Sequence, residues 1–90
     1  MIIIMISGAM VFAAETVRLS RAVFHVTWYD VGKAALEGLK GVQKVERGFR
    51  GFKEINTVYY NPALISIQKM EISLKRAGTY LSTLESSQRQ

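Results

Sequence analysis

Residues 23–30, VFHVTWYD, contain the one histidine and the one tryptophan of a 90-residue chain. An imidazole can hold a divalent transition metal or relay a proton near neutral pH. An indole does neither: its ring nitrogen only donates a hydrogen bond. His25 is therefore the candidate ligand of the stretch, and it suits Cu(II), Zn or Ni better than the softer Hg(II) or Cu(I). Zinc sites draw on roughly three or four protein ligands, so His25 would need help from Asp30, Met70, Tyr80 or a second molecule. The bland alternative is a partly exposed loop histidine that binds nothing. Phe24, Trp28, Tyr29 and Tyr80 carry a second possibility, an apolar docking patch, because aromatic rings dominate interface energetics. Trp28 also fits the buried stripe of a helix, where its ring would cover one end of the core.

Other chemistries find little support. The chain has no cysteine, which removes disulfides, thiolate metal sites and thiol nucleophiles together. Any metal would have to be held by His, carboxylate, Met or backbone groups. There is no Ser/His/Asp context, no telling carboxylate pair and no glycine-rich phosphate loop, so the sequence reads as a non-enzyme. Twelve Lys and Arg against seven Asp and Glu leave a net charge of +5. They are scattered, which fits a solvated, mildly basic surface better than a polyanion tract. The segment RGFRGF, residues 47–52, has the basic, glycine and aromatic composition of an RNA-binding strand. It falls at the end of a second strand and in a turn, the wrong register for that use. Gly51 reads as a turn residue of positive φ, and Phe49 and Phe52 as hairpin packing.

The elements that position these residues follow from periodicity. Residues 16–22, TVRLSRA, alternate as a half-buried strand. Residues 28–40 switch to helical spacing through Trp28, Val31, Ala35 and Leu39, with Leu36 widening the stripe and Asp30 near the positive end of the dipole. Gly32 and Gly38 weaken this helix by about 0.5–1 kcal/mol each, unless the backbone there approaches something closely. Gly41 ends it. Residues 42–49 and 55–60 are extended, joined by a turn at 50–53, and Asn61-Pro62 closes the hairpin. Ser66 caps a second helix whose buried face is Ile67, Met70, Leu74 and Ala77, ended by Gly78. Residues 79–84 form a last strand.

The order β-α-β-β-α-β predicts an α+β, ferredoxin-like sandwich: two helices on one face of a four-stranded antiparallel sheet. Residues 1–13 form an apolar leader, too short to cross a bilayer as a helix of about 20 residues. Val11 and Ala13 give a small-residue cleavage pattern before Ala14, as in a signal peptide, although no Lys or Arg precedes the apolar run. The alternative is a buried first strand. The expectation is an exported, periplasmic chain with no transmembrane anchor once mature, a domain over 14–84 and a polar tail over 85–90.

Several phrases resemble the heavy-metal-associated domain family, above all its small periplasmic mercury-binding members: ETVRLS, AALEGLKGVQKVERGF, VYYNPALISIQKM and RAG. Between Phe49 and Ile55 this chain looks about two residues longer than the family pattern. The resemblance implies the ferredoxin-like fold, metal binding or trafficking, and a Met-Thr-Cys-x-x-Cys loop before the first helix. Those six positions fall on Val23, Phe24, His25, Val26, Thr27 and Trp28, so both thiolates are replaced, by His25 and Trp28. Two readings follow: a metal-related binding protein acting weakly through His25, or a protein-interaction module, docking through residues 23–29, that has lost the ion.

Overall fold

Strand residues with β-branched or aromatic side chains alternate with two amphipathic helical stretches, and the structure follows that rhythm. A computed structural model describes residues 18–87. The elements are β1 (Ser20–Val26), α1 (Tyr29–Glu37), β2 (Val42–Arg50), β3 (Lys53–Tyr60), α2 (Ile67–Arg76) and β4 (Tyr80–Ser86). The four strands form one antiparallel sheet in the order β2-β3-β1-β4. This is the ferredoxin-like α+β arrangement the sequence predicts.

Ala22, Phe24 and Val26 of β1, Val45 of β2 and Val58 and Tyr60 of β3 face Leu36 of α1 and Met70 and Leu74 of α2. Burying each large apolar side chain contributes roughly 1.5–3 kcal/mol. Ser66 caps α2 as expected, its hydroxyl accepting from Lys69 N at 3.1 Å. Gly41 and Gly51 have φ of +99° and +63°, values that L side chains rarely adopt.

Four expectations are corrected. The first strand lies four residues later than 16–22, because VFHV supplies an unbroken β-branched and aromatic run for a strand with neighbours on both sides. The buried face of α1 is rotated: Gly32 and Leu36 are buried, Tyr29, Ala35 and Leu39 pack against the core, and Trp28 and Val31 are exposed. The last strand runs on to Ser86, so Glu85 belongs to the sheet and not to a tail. The hairpin turn is also tighter than 50–53, with Arg50 paired to Lys53 and only Gly51 and Phe52 between them. The apolar leader, residues 1–13, lies outside the described residues.

Candidate functional site at the head of helix α1

The junction between β1 and α1 consists of Thr27 and Trp28. Trp28 sits at the N-cap of α1 in extended conformation, and its own side chain makes no capping bond. A helix start leaves backbone N–H groups without intrahelical partners. Here distant residues supply them. Trp28 N donates to Thr79 Oγ1 at 2.9 Å, and the Thr79 hydroxyl donates to Trp28 O at 3.3 Å. Thr27 N donates to Thr79 O at 2.8 Å. One residue on, Tyr29 N donates to Glu54 Oε1 at 2.8 Å and Tyr29 O accepts from Asn56 Nδ2 at 3.0 Å. Glu54 and Asn56 are two apart on β3 and therefore share a face. The carboxylate also suits the positive end of the helix dipole.

Gly32 completes the clamp. A Cβ at that position would stand 1.9 Å from Asn56 Oδ1. The glycine lets Asn56, fully buried, lie against the helix backbone, the close approach that a glycine inside a helix suggests. Asn56 Oδ1 has no hydrogen-bond partner among the described residues. Its amide nitrogen carries the contact to Tyr29.

These bonds fix the backbone while the Trp28 indole remains 57% exposed. Beside it the Tyr29 ring meets Phe49 edge-on, with centroids 5.4 Å apart, and the Arg47 guanidinium lies 5.6 Å from the Tyr29 centroid. Arg47 also donates to Asp30 at 2.6 Å, and this carboxylate raises the Arg47 pKa. Strand β1, the β2–β3 hairpin, the head of α1 and the α2–β4 link thus converge on one end of the molecule.

The predicted site residues separate into three groups. Trp28 and Tyr29 are at this end, the indole exposed and the phenol half-buried. Phe24 is fully buried in the core, so it is absent from any surface patch; its strand alternation with Ala22 and Val26 turns it toward the helices. Tyr80 is half-buried against the core, and its hydroxyl lies 2.9 Å from the Thr83 hydroxyl, with Lys75 Nζ 5.2 Å from the ring centroid. His25 lies within β1, paired with Ile55 and Ser82, rather than in the junction. Alternation places it on the sheet face opposite the helices.

That placement separates His25 from the helpers a metal site would need. Met70 is buried under α2, Tyr80 packs on the helical side, and Asp30 is engaged by Arg47. None of the three helpers shares the face of His25. Among the described residues no three His, Cys, Asp or Glu side chains gather as a metal-holding group. The described residues do not gather a ligand set for a resident ion.

The face that carries His25 is crossed by an ion-pair bridge. Glu85 Oε1 accepts from Arg21 at 2.8 Å and Glu85 Oε2 from Arg50 at 2.7 Å. Arg50 and Glu85 belong to the two edge strands, so the second pair spans the sheet. Val23 has Arg21 and His25 beside it along β1 and Thr57 and Glu85 opposite, and it is fully buried. No helix among the described residues is long and apolar enough to cross a membrane.

Sequence reasoning misses Glu54, Asn56 and Thr79, because their partners are backbone groups far along the chain. Phe52, expected to pack in the hairpin, is instead fully exposed; Phe49 packs on Tyr29 yet leaves most of its ring in solvent. The one signal pointing to Asn56 is Gly32, an unfavourable residue inside a helix.

No protein-family model and no curated protein matches this chain. Among solved structures, it is similar to the N-terminal domain of a potential copper-translocating P-type ATPase from Bacillus subtilis, solved in solution in the Cu(I)-loaded state. The match has a TM-score of 0.59 and 18% identity, and covers 81% of this chain and 100% of that domain. What the two share is the fold, the β-α-β-β-α-β sandwich.

Proposed function

We propose that this protein is a non-enzymatic binding module that keeps the fold of a metal carrier and uses the head of α1 to dock a protein partner. One observation carries the reading: an exposed tryptophan whose main chain is held on both sides by Thr79, with the next residue held by Glu54 and Asn56. Ordering an exposed side chain usually costs entropy on binding, about 0.5–1.5 kcal/mol per immobilised side chain. A backbone fixed beforehand lowers that cost, and Trp, Tyr and Arg are the residue types enriched at binding hot spots.

The test is positional photo-crosslinking in the producing cell. With p-benzoylphenylalanine at position 28, a discrete adduct is expected; at Lys40, in the turn beyond α1, it is not. Adducts of equal strength from both positions, or from neither, would overturn the reading. The same cells test the proposed export: fractionation should place the chain outside the cytoplasm, shortened by a leader ending near Ala13 if that segment is a signal peptide.

A second reading assigns His25 a weak share in a metal site completed by a partner's ligands. Its support is that the imidazole is not fully buried, together with the likeness in fold to a Cu(I)-loaded domain. Titration with Cu(II), Zn(II), Ni(II) and Hg(II) beside His25→Ala decides it. Binding by the parent that vanishes in the variant supports a role for the imidazole, and a parent that binds none leaves docking alone.

A further inference from the structure

The β2–β3 hairpin turn lies next to the proposed docking surface, and nothing in its own packing explains its residues. Phe52, which shares the two-residue turn with Gly51, is fully exposed, and Phe49, in β2 just before the turn, is 62% exposed. Phe49 contacts Tyr29, which follows Trp28, so the hairpin aromatics continue the aromatic surface from the head of α1.

The charges around these rings are unevenly engaged. Asp30 is taken by Arg47 and Glu54 by the Tyr29 N–H. Lys53, beside Phe52, and Arg76, at the end of α2, meet no carboxylate among the described residues, and Lys75 rests over the Tyr80 ring. An approaching molecule therefore meets exposed rings at an end of the molecule that also carries cations without carboxylate partners, while Asp30 and Glu54 are already occupied.

We propose that the hairpin turn is a second anchor of the docking surface, and that the partner it fits is an acidic protein segment carrying an apolar side chain. The inference rests on the docking role proposed above for the head of α1. Complementary charge steers such encounters and rejects basic partners, while Phe52 and Trp28 supply the apolar contact. An anionic bilayer is the less suitable occupant, because lipid-binding surfaces gather about four to eight Lys or Arg, more than the Lys53, Lys75 and Arg76 left over here.

Panning a phage-displayed library of random 12-residue peptides on the whole protein tests this while the natural partner is still unidentified. Enrichment of Asp and Glu around an aromatic or Leu residue is expected. An enriched peptide should bind at least tenfold more weakly to Trp28→Ala, several-fold more weakly to Phe52→Ala and to Lys53→Glu, and equally to Lys40→Glu. Raising the salt should also weaken it.

Peptides sensitive to Trp28→Ala but indifferent to both hairpin variants, or enriched without acidic residues, would overturn the inference and leave docking at α1 standing. Peptides indifferent to Trp28→Ala would overturn both. Failure to enrich any peptide, together with binding to phosphatidylglycerol vesicles and not to phosphatidylcholine vesicles, would replace the protein segment with a lipid surface. Failure in both assays would also overturn the inference.

Discussion

The two ends of the sandwich are closed by different means. At the end opposite Trp28, local turn chemistry does most of the work: Asn61 Oδ1 accepts from Ala63 N and Ser66 caps α2, with one longer bond, Asn61 N to Gly41 O at 2.8 Å, tying the two turns together. Gly41 takes its positive φ, and a Cβ there would press on Ile65 and Leu64 at 2.9 Å. At the Trp28 end, no residue of the junction caps its own helix. Side chains from β3 and from the α2–β4 link reach across instead, and the side chain they leave free is a tryptophan. A closure made by turn residues only ends the elements, whereas one built from long-range bonds also fixes a surface. The second is the more specific investment, and it occurs where the aromatics are exposed.

The sharpest way to break this contrast is to compare Phe24 with Trp28, four positions apart and both aromatic. Phe24→Ala opens a cavity in the core and should cost about 3–5 kcal/mol. Trp28→Ala removes an exposed ring and should cost less than about 1 kcal/mol. Urea midpoints measure both. A Trp28→Ala loss as large as that of Phe24→Ala would make the indole a core residue and end the case for docking.

Next in size is Gly32→Ala. Its methyl group would collide with Asn56 Oδ1, so overpacking of about 1–3 kcal/mol should outweigh the gain of nearly 1 kcal/mol in helix propensity. Removing the obstacle by Asn56→Ala in the same chain should return part of the loss, as expected for residues in contact. Additive losses in the double variant would mean that the glycine serves another purpose.

Smaller effects are expected from the clamp itself. Thr79→Ala removes two hydrogen bonds from the Trp28–Tyr29 backbone and Glu54→Ala removes one, each worth about 0.5–1.5 kcal/mol, with a further desolvation cost at the buried Thr79 site. The chain has one tryptophan, so its fluorescence anisotropy reports the order of this end alone. Both variants should lower the anisotropy, and Thr79→Ser should restore it. Unchanged anisotropy would show that the bonds stabilise the fold without holding the indole.

The same contrast explains what is legible in the letters. Gly41, Asn61-Pro62, Ser66 and Gly51 announce the turns and the cap because the cause sits on the residue itself, in a permitted φ or a hydroxyl within reach of its own helix. The order of elements is equally legible, since Ile67, Met70 and Leu74 mark a buried helical face. The start of β1 is not, because the alternation at 16–22 resembles an edge strand while the true strand is central. Trp28 falls wrongly on the buried stripe for a related reason: hydrophobicity alone does not say which way a helix turns. Asn56, invisible as a partner, turns it by binding Tyr29 and seating Gly32. His25 looks like a junction residue because strand and junction cannot be separated in a run such as VFHVTW.

The smallest predicted effect concerns the opposite face of the sheet. The Arg50 guanidinium, donating to Glu85, and Arg21 beside it hold the Glu85 carboxyl below the usual carboxylate range. A carboxyl whose folded pKa is depressed contributes stability above its unfolded value of about 4.3 and loses that contribution as pH falls through the folded value. The bridge should therefore strengthen the sheet at neutral pH and vanish in acid. Because Glu85 is exposed, the effect is small and screened by salt. Melting curves of the parent and of Glu85→Gln should differ slightly at pH 7, converge below pH about 4, and approach one another in high salt. A gap that persists in acid would assign the loss to packing over Val23, and the bridge would then be a cover for the sheet face and not an electrostatic tie.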